Sequence, residues 1–135
     1  MKTLYIAAAA VMLFGLSQTA FADAGHLGAA KEHCNAMVTA GEKGLDHGGQ
    51  GHTDVGVTHF KKMAQEGDEC LKHGQEAMKT SDGGKEAMGH FKEAEMHAQS
   101  AVKHGEAGHN DAMMEHGKEA MKHAKAGNDQ LKGMK

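Results

Sequence analysis

An all-α fold, an up-down-up-down four-helix bundle built from a duplicated helical hairpin, is predicted here by three observations. Histidines recur at seven-residue intervals, apolar residues keep the same frame, and the chain repeats after 57 residues. Seven residues make two helical turns, so each series of histidines forms one stripe about 10.5 Å per step along a helix edge. His26 and His33, His52 and His59, His90 and His97, His97 and His104, His109 and His116, and His116 and His123 are seven apart, and His59 and His73 fourteen. Sliding the chain by 57 lays His33 on His90, His47 on His104, His52 on His109 and His59 on His116. Such self-similarity marks a structural repeat.

Residues 1–22 are set aside first as a secretory signal. Lys2 supplies the positive start, Leu4 to Leu16 an apolar stretch too short to span a bilayer, and Ala20-Phe21-Ala22 a small-x-small cleavage site. The expected mature chain, residues 23–135, is one small domain with halves at about 25–80 and 83–130, addressed to the periplasm. Removing Lys2 leaves 14 cations against 18 acids when His is neutral. That balance argues against nucleic acid, which wants a basic face, and suits cations.

In the first helix, counting one, four and five residues on from each His places Leu27, Ala30, Cys34, Met37 and Val38 on one face. The second helix places Phe60, Met63, Ala64, Cys70 and Leu71 there. The third gives Phe91, Ala94, Ala98, Ala101 and Val102, and the fourth Met113, Met114, Ala120, Met121 and Ala124. These are a, d and e heptad positions, so each His sits at g, on the border between core and water. Gly48-Gly49-Gln50-Gly51 and Gly105-Glu106-Ala107-Gly108 break the helices inside each half, and Ser81-Asp82-Gly83-Gly84 separates the halves. Thr53 or Asp54, and Asn110 or Asp111, are the expected N-caps. Four short-linked amphipathic helices form a bundle. Its core is thin, rich in Met and Ala, and the eighteen glycines after residue 22 are expected to weaken the helices.

Border histidines of antiparallel neighbours face one another. If the connections fold symmetrically, heights match where residue numbers add to 99 in the first hairpin and 213 in the second. His47 then faces His52, His26 faces His73, His104 faces His109, His97 faces His116, and His90 faces His123. By the same rule Cys34 lies opposite residue 65, leaving Cys70 about 7.5 Å out of step. The register thus argues against a disulfide unless the helices are staggered, although a secreted protein permits one.

Imidazole is the commonest protein metal ligand, so His26, His33, His47, His52, His59, His73, His90, His97, His104, His109, His116 and His123 are all candidate ligands. No two of them are three or four apart, which excludes chelation by two His of one helix. Carboxylates do occur at those spacings: Glu93 before His97, Glu119 between His116 and His123, and Glu69 and Glu76 around His73. Facing His with a carboxylate such as Glu93 or Glu119 would present N and O donors suited to Cu(II), Ni(II) or Zn(II). Met113, Met114 and Met121 read as packing rather than soft ligands. There is no His-Glu-x-x-His, and the one Glu three residues before a His, Glu106 before His109, lies in a helix break rather than on a helix face, so the chain reads as a binding protein without turnover. A pH-responsive interaction protein, or a non-covalent haem held by Met and His, are the other readings.

The stretch His97-Ala98-Gln99-Ser100-Ala101-Val102-Lys103-His104-Gly105-Glu106-Ala107-Gly108-His109, continuing through His116-Gly117-Lys118-Glu119-Ala120-Met121-Lys122-His123-Ala124, resembles the His-rich repeat of the bacterial small metal-binding protein family. The likeness is close over 86–127 and looser over 25–79, where the two cysteines depart from the pattern. It implies a periplasmic, monomeric four-helix bundle that binds copper and other divalent ions. His90, His97, His104, His109, His116 and His123 are the residues it implicates.

Overall fold

The computed structural model describes residues 15–77 and 82–134, with side chains from 25–77 and 83–134. Four helices form: α1 (Gly15–Gly49), α2 (Thr53–Ala77), α3 (Asp82–Glu106) and α4 (Asn110–Lys132). Each packs chiefly on its two neighbours, α1 on α2 and α4, and α3 on α2 and α4, so the fold is the expected all-α four-helix bundle. Most of the signal segment and residues 78–81 lie outside the described residues. The site at Ala20-Phe21-Ala22 falls within the backbone span of α1. Of the expected break between halves, Asp82, Gly83 and Gly84 belong instead to the first turn of α3.

Both hairpins turn in the same way. Gly51 and Gly108, 57 residues apart, adopt φ of +80° and +76°, which glycine accepts without a Cβ clash. The amide of His52 donates to the His47 carbonyl at 2.9 Å and that of Gly51 to the Gly48 carbonyl at 3.1 Å; His109 to His104 and Gly108 to Gly105 repeat the pair at 2.8 and 3.0 Å. This is the Schellman ending of a helix. The turn is so short that the next residue already starts the following helix: the carbonyls of His52 and His109 accept from Gly56 and Met113. His52 and His109 therefore hold the N-cap place expected of Thr53 and Asn110, and His109 does so without a side-chain cap bond. Thr53 and Asn110 serve elsewhere. Thr53 Oγ1 donates to Asn110 Oδ1 at 3.1 Å and Asn110 Nδ2 donates to the Gly48 carbonyl at 3.3 Å, tying the two turns together at equivalent positions of the repeat.

Phe60, Phe91, Met37, Met63, Met113 and Leu131 are the largest fully buried side chains. Each is worth about 1.5–3 kcal/mol in area removed from water. Glycine is what lets them in. A Cβ at Gly44 would meet Phe60, at Gly41 Met63 and Met121, at Gly67 Met37, at Gly105 Val57 and Met113, at Gly117 Phe60 and Leu45, and at Gly127 Phe91. The expectation that glycine simply weakens these helices is corrected at those six positions: each is the hole for a large side chain of a neighbouring helix, the means by which an aromatic-poor chain reaches close packing.

Cys34 and Cys70 are joined, with Cα atoms 5.0 Å apart, against the register argument. Their numbers add to 104, as do those of Met37 and Gly67, Gly41 and Met63, and Gly44 and Phe60. In the second hairpin Phe91 with Gly127 and Gly105 with Met113 add to 218, the same offset of five beyond the histidine register. A ring long enough to reach up or down the groove meets partners at more than one height, so the facing histidines do not set the height at which short core residues meet. The helices are staggered relative to the histidine rule by the amount a bridge requires.

Candidate metal centre

The border position of the histidines is what the structure places them in. His26, His33, His47, His59, His73, His90, His97, His104, His116 and His123 are half-buried, while His52 and His109, in the turns, are exposed. All five expected facing pairs are in ring contact: His26 with His73, His47 with His52, His90 with His123, His97 with His116, and His104 with His109, at centroid separations of 5.5–6.0 Å and interplanar angles of 33–43°. In three of these the Nδ1 atoms approach closely, 3.2 Å for His26 and His73, 3.2 Å for His97 and His116, and 3.4 Å for His90 and His123. One ring donates its N–H and the other accepts.

A second set of contacts was not foreseen from the spacing. His33 stacks on His73, His47 on His59, His97 on His123 and His104 on His116, with planes within 4–11° and centroids 5.2–5.9 Å apart. These pairs sit seven residue numbers beyond the facing ones. They link neighbouring facing pairs into longer chains.

Glu66 is a carboxylate that reaches a histidine: its Oε2 accepts from His33 Nδ1 at 2.8 Å. The numbers of His33 and Glu66 add to 99, so the facing rule could have found it. Glu93 and Glu119 occupy outward positions. Glu93 is exposed, Glu119 pairs with Lys122 at 3.2 Å, and Glu69 likewise pairs with Lys72 at 2.9 Å. A carboxylate three or four residues from a g-position His falls at c, where solvent and lysine compete for it. Among the described residues no group of three or more His, Cys, Asp or Glu converges on one point, so a ready-made three-ligand site is absent there.

Electrostatics single out His59. Burial lowers its pKa below the ordinary 6.5, and the neighbouring His47, Lys43 and Lys62 charges lower it further. Beside it, His47 Nδ1 is buried without a hydrogen-bond partner. The lowered pKa of His59 favours its neutral form, the one that can bind an ion, and the unpartnered His47 Nδ1 stands beside it.

The methionines behave as packing. Met113 and Met121 are buried and Met114 packs against the core, while Met96 is 52 % exposed. No described helix is long and apolar enough to cross a membrane. The chain matches no family model and no curated protein.

Proposed function

We propose that this chain binds divalent metal ions through its facing histidine pairs and acts as a periplasmic buffer, store or scavenger, with Cu(II) the leading ion and Ni(II) and Zn(II) the others its donors suit. One observation carries the reading: the Nδ1 atoms of three facing pairs lie 3.2–3.4 Å apart. Two nitrogens at the usual metal–nitrogen distance are separated by about 3.3 Å on a tetrahedral ion and about 2.9 Å in cis positions on a square-planar one, so the pairs fit Zn(II) as they stand and Cu(II) or Ni(II) after closing by a few tenths of an ångström. Water, or Glu66 beside His33, would complete the coordination. The likeness to the small metal-binding protein family, strongest over 86–127, agrees. The Cys34–Cys70 bridge supports an oxidising compartment, as the signal-like first 22 residues do. Nothing in the residues calls for nucleic acid, turnover or a second chain, and the working form is taken as a monomer.

Imidazole binds metal only when neutral, so Cu(II) capacity is expected to fall as pH drops through about 6.5. Isothermal titration at pH 7.5 and pH 5 measures this; equal binding at both would contradict histidine ligation. A second reading draws on the same close pairs. Protonating both members sets N–H against N–H and charge against charge, so acidification could drive the helices apart without metal. Circular dichroism of metal-free protein distinguishes them, since a switch loses helicity between pH 7.5 and 5 whereas a metal binder keeps it.

A further inference from the structure

The two halves differ in how far their histidine contacts run. In the second hairpin five contacts join six rings without interruption, in the order His90, His123, His97, His116, His104 and His109. In the first hairpin the order His26, His73, His33 ends at Glu66, and a separate series runs His59, His47, His52. The repeat explains the break. Ala40 stands where the second half has His97, and Glu66 where it has His123. About 21 Å of helix without a histidine then separates His33 from His47 on α1 and His59 from His73 on α2.

Resting on the metal-binding reading above, we infer that the second hairpin is a track along which a bound divalent ion moves from pair to pair, while the first hairpin holds ions in two isolated stations. Every inner ring of the track touches two others. An ion held by His97 and His116 can exchange His116 for His123 while His97 stays bound, then exchange His97 for His90. Each exchange advances it about 5 Å, half the 10.5 Å between successive facing pairs. All contacts along the track have centroids 5.2–6.0 Å apart, near the roughly 5 Å of two imidazoles sharing a tetrahedral ion; the tilted pairs are the resting stations, and a stacked pair serves as a passing one once one ring turns about its Cβ–Cγ bond to bring both lone pairs onto the ion. Retaining one ligand through each exchange avoids the full cost of dissociation. At Ala40 such a step is impossible: the space beside it is a cavity of about 500 Å³ lined by Ala36, Thr39, Ala40, Lys43, His59 and Lys62, with no imidazole to bridge from His59 toward His33.

The test uses the full chain with isotope-labelled histidines, a fifth of an equivalent of Cu(II) at pH 7.5, and paramagnetic broadening of each ring signal by NMR. The track predicts that all six rings of the second hairpin broaden together, with an exchange rate independent of protein concentration. His97→Ala should slow exchange between the His90–His123 pair and the His116, His104, His109 group at least tenfold. The double variant Ala40→His with Glu66→His, which fills the cavity's edge with a ring, should join the two stations of the first hairpin. Broadening confined to one pair of the second hairpin, or a rate that rises with protein concentration, would overturn the track while leaving metal binding intact. If Cu(II) broadened no histidine ring at all, the binding reading itself would fall.

Discussion

At the scale of single residues, chemistry follows from where a side chain sits in the heptad. Position g brings imidazoles into pairs, and position c sends Glu93 and Glu119 outward. Replacing either glutamate by glutamine is therefore expected to leave Cu(II) affinity within about twofold, by titration calorimetry. His97→Ala should weaken the ligand set it shares with His116 and His123 by at least the roughly tenfold that even outer-shell partners cost. His59 makes a separate prediction. Its folded-state pKa is depressed, so the stability tied to its neutral form is present above pH 6.5 and is lost as pH falls from 6.5 toward the lowered value. An NMR titration should place its midpoint below 6.5; a midpoint above would contradict the burial and the charge of His47, Lys43 and Lys62. Glu66 is invisible to same-helix spacings because it reaches His33 from across the groove.

Among the helices, glycine decides how closely neighbours approach. A methyl group at Gly127 would press on the ring of Phe91 and the carbonyl of Ala87, neither of which can yield cheaply. Gly127→Ala is thus expected to destabilise by about 1–3 kcal/mol through overpacking, read by urea unfolding. Gly89, also helical, has open space around it, and Gly89→Ala should stabilise by up to about 1 kcal/mol. The opposite signs separate a packing role from helix propensity. The helices and the histidine register were legible in the sequence because both rest on periods that a linear chain displays. The seam at sums of 104 and 218 was not, because it depends on stagger between helices, and stagger is set by which large residue enters which glycine hole. The same dependence on stagger left the Cys34–Cys70 bridge out of step in the sequence, and the tightness of the turns moved the caps from Thr53 or Asp54 and Asn110 or Asp111 to His52 and His109.

For the molecule as a whole, duplication supplies the architecture and divergence supplies the difference between halves. The first half carries a disulfide and has Ala40 and Glu66 where the second has ladder histidines; the second carries the full ladder and no cysteine. Cys34 and Cys70 are 36 apart, and closing a loop of that length stabilises by about 3–4 kcal/mol in the chain-entropy account. The double variant Cys34→Ser with Cys70→Ser should lose about that much in denaturant unfolding while keeping the Cu(II) stoichiometry of the second hairpin. Bound metal acts in the other direction: free Cu(II) at a hundred times the dissociation constant should add about 2.7 kcal/mol at pH 7.5 and much less at pH 5. The buried Asn128, whose Nδ2 donates to Oδ1 of the exposed Asn35 at 3.0 Å, and Lys31 Nζ, which donates to the Met134 carbonyl at 2.7 Å, join α1 to α4 and the residues just after it, holding the two unlike halves as one body.

The central claim is that an ion is held between two helices by at least two imidazoles. Electron paramagnetic resonance of one equivalent of Cu(II), compared between protein with 14N and with 15N histidine, counts those nitrogens directly. Two or more histidine nitrogens on each copper at pH 7.5, falling when His97 and His116 are both replaced by alanine, is the predicted result. A coordination sphere with one histidine nitrogen or none would contradict it.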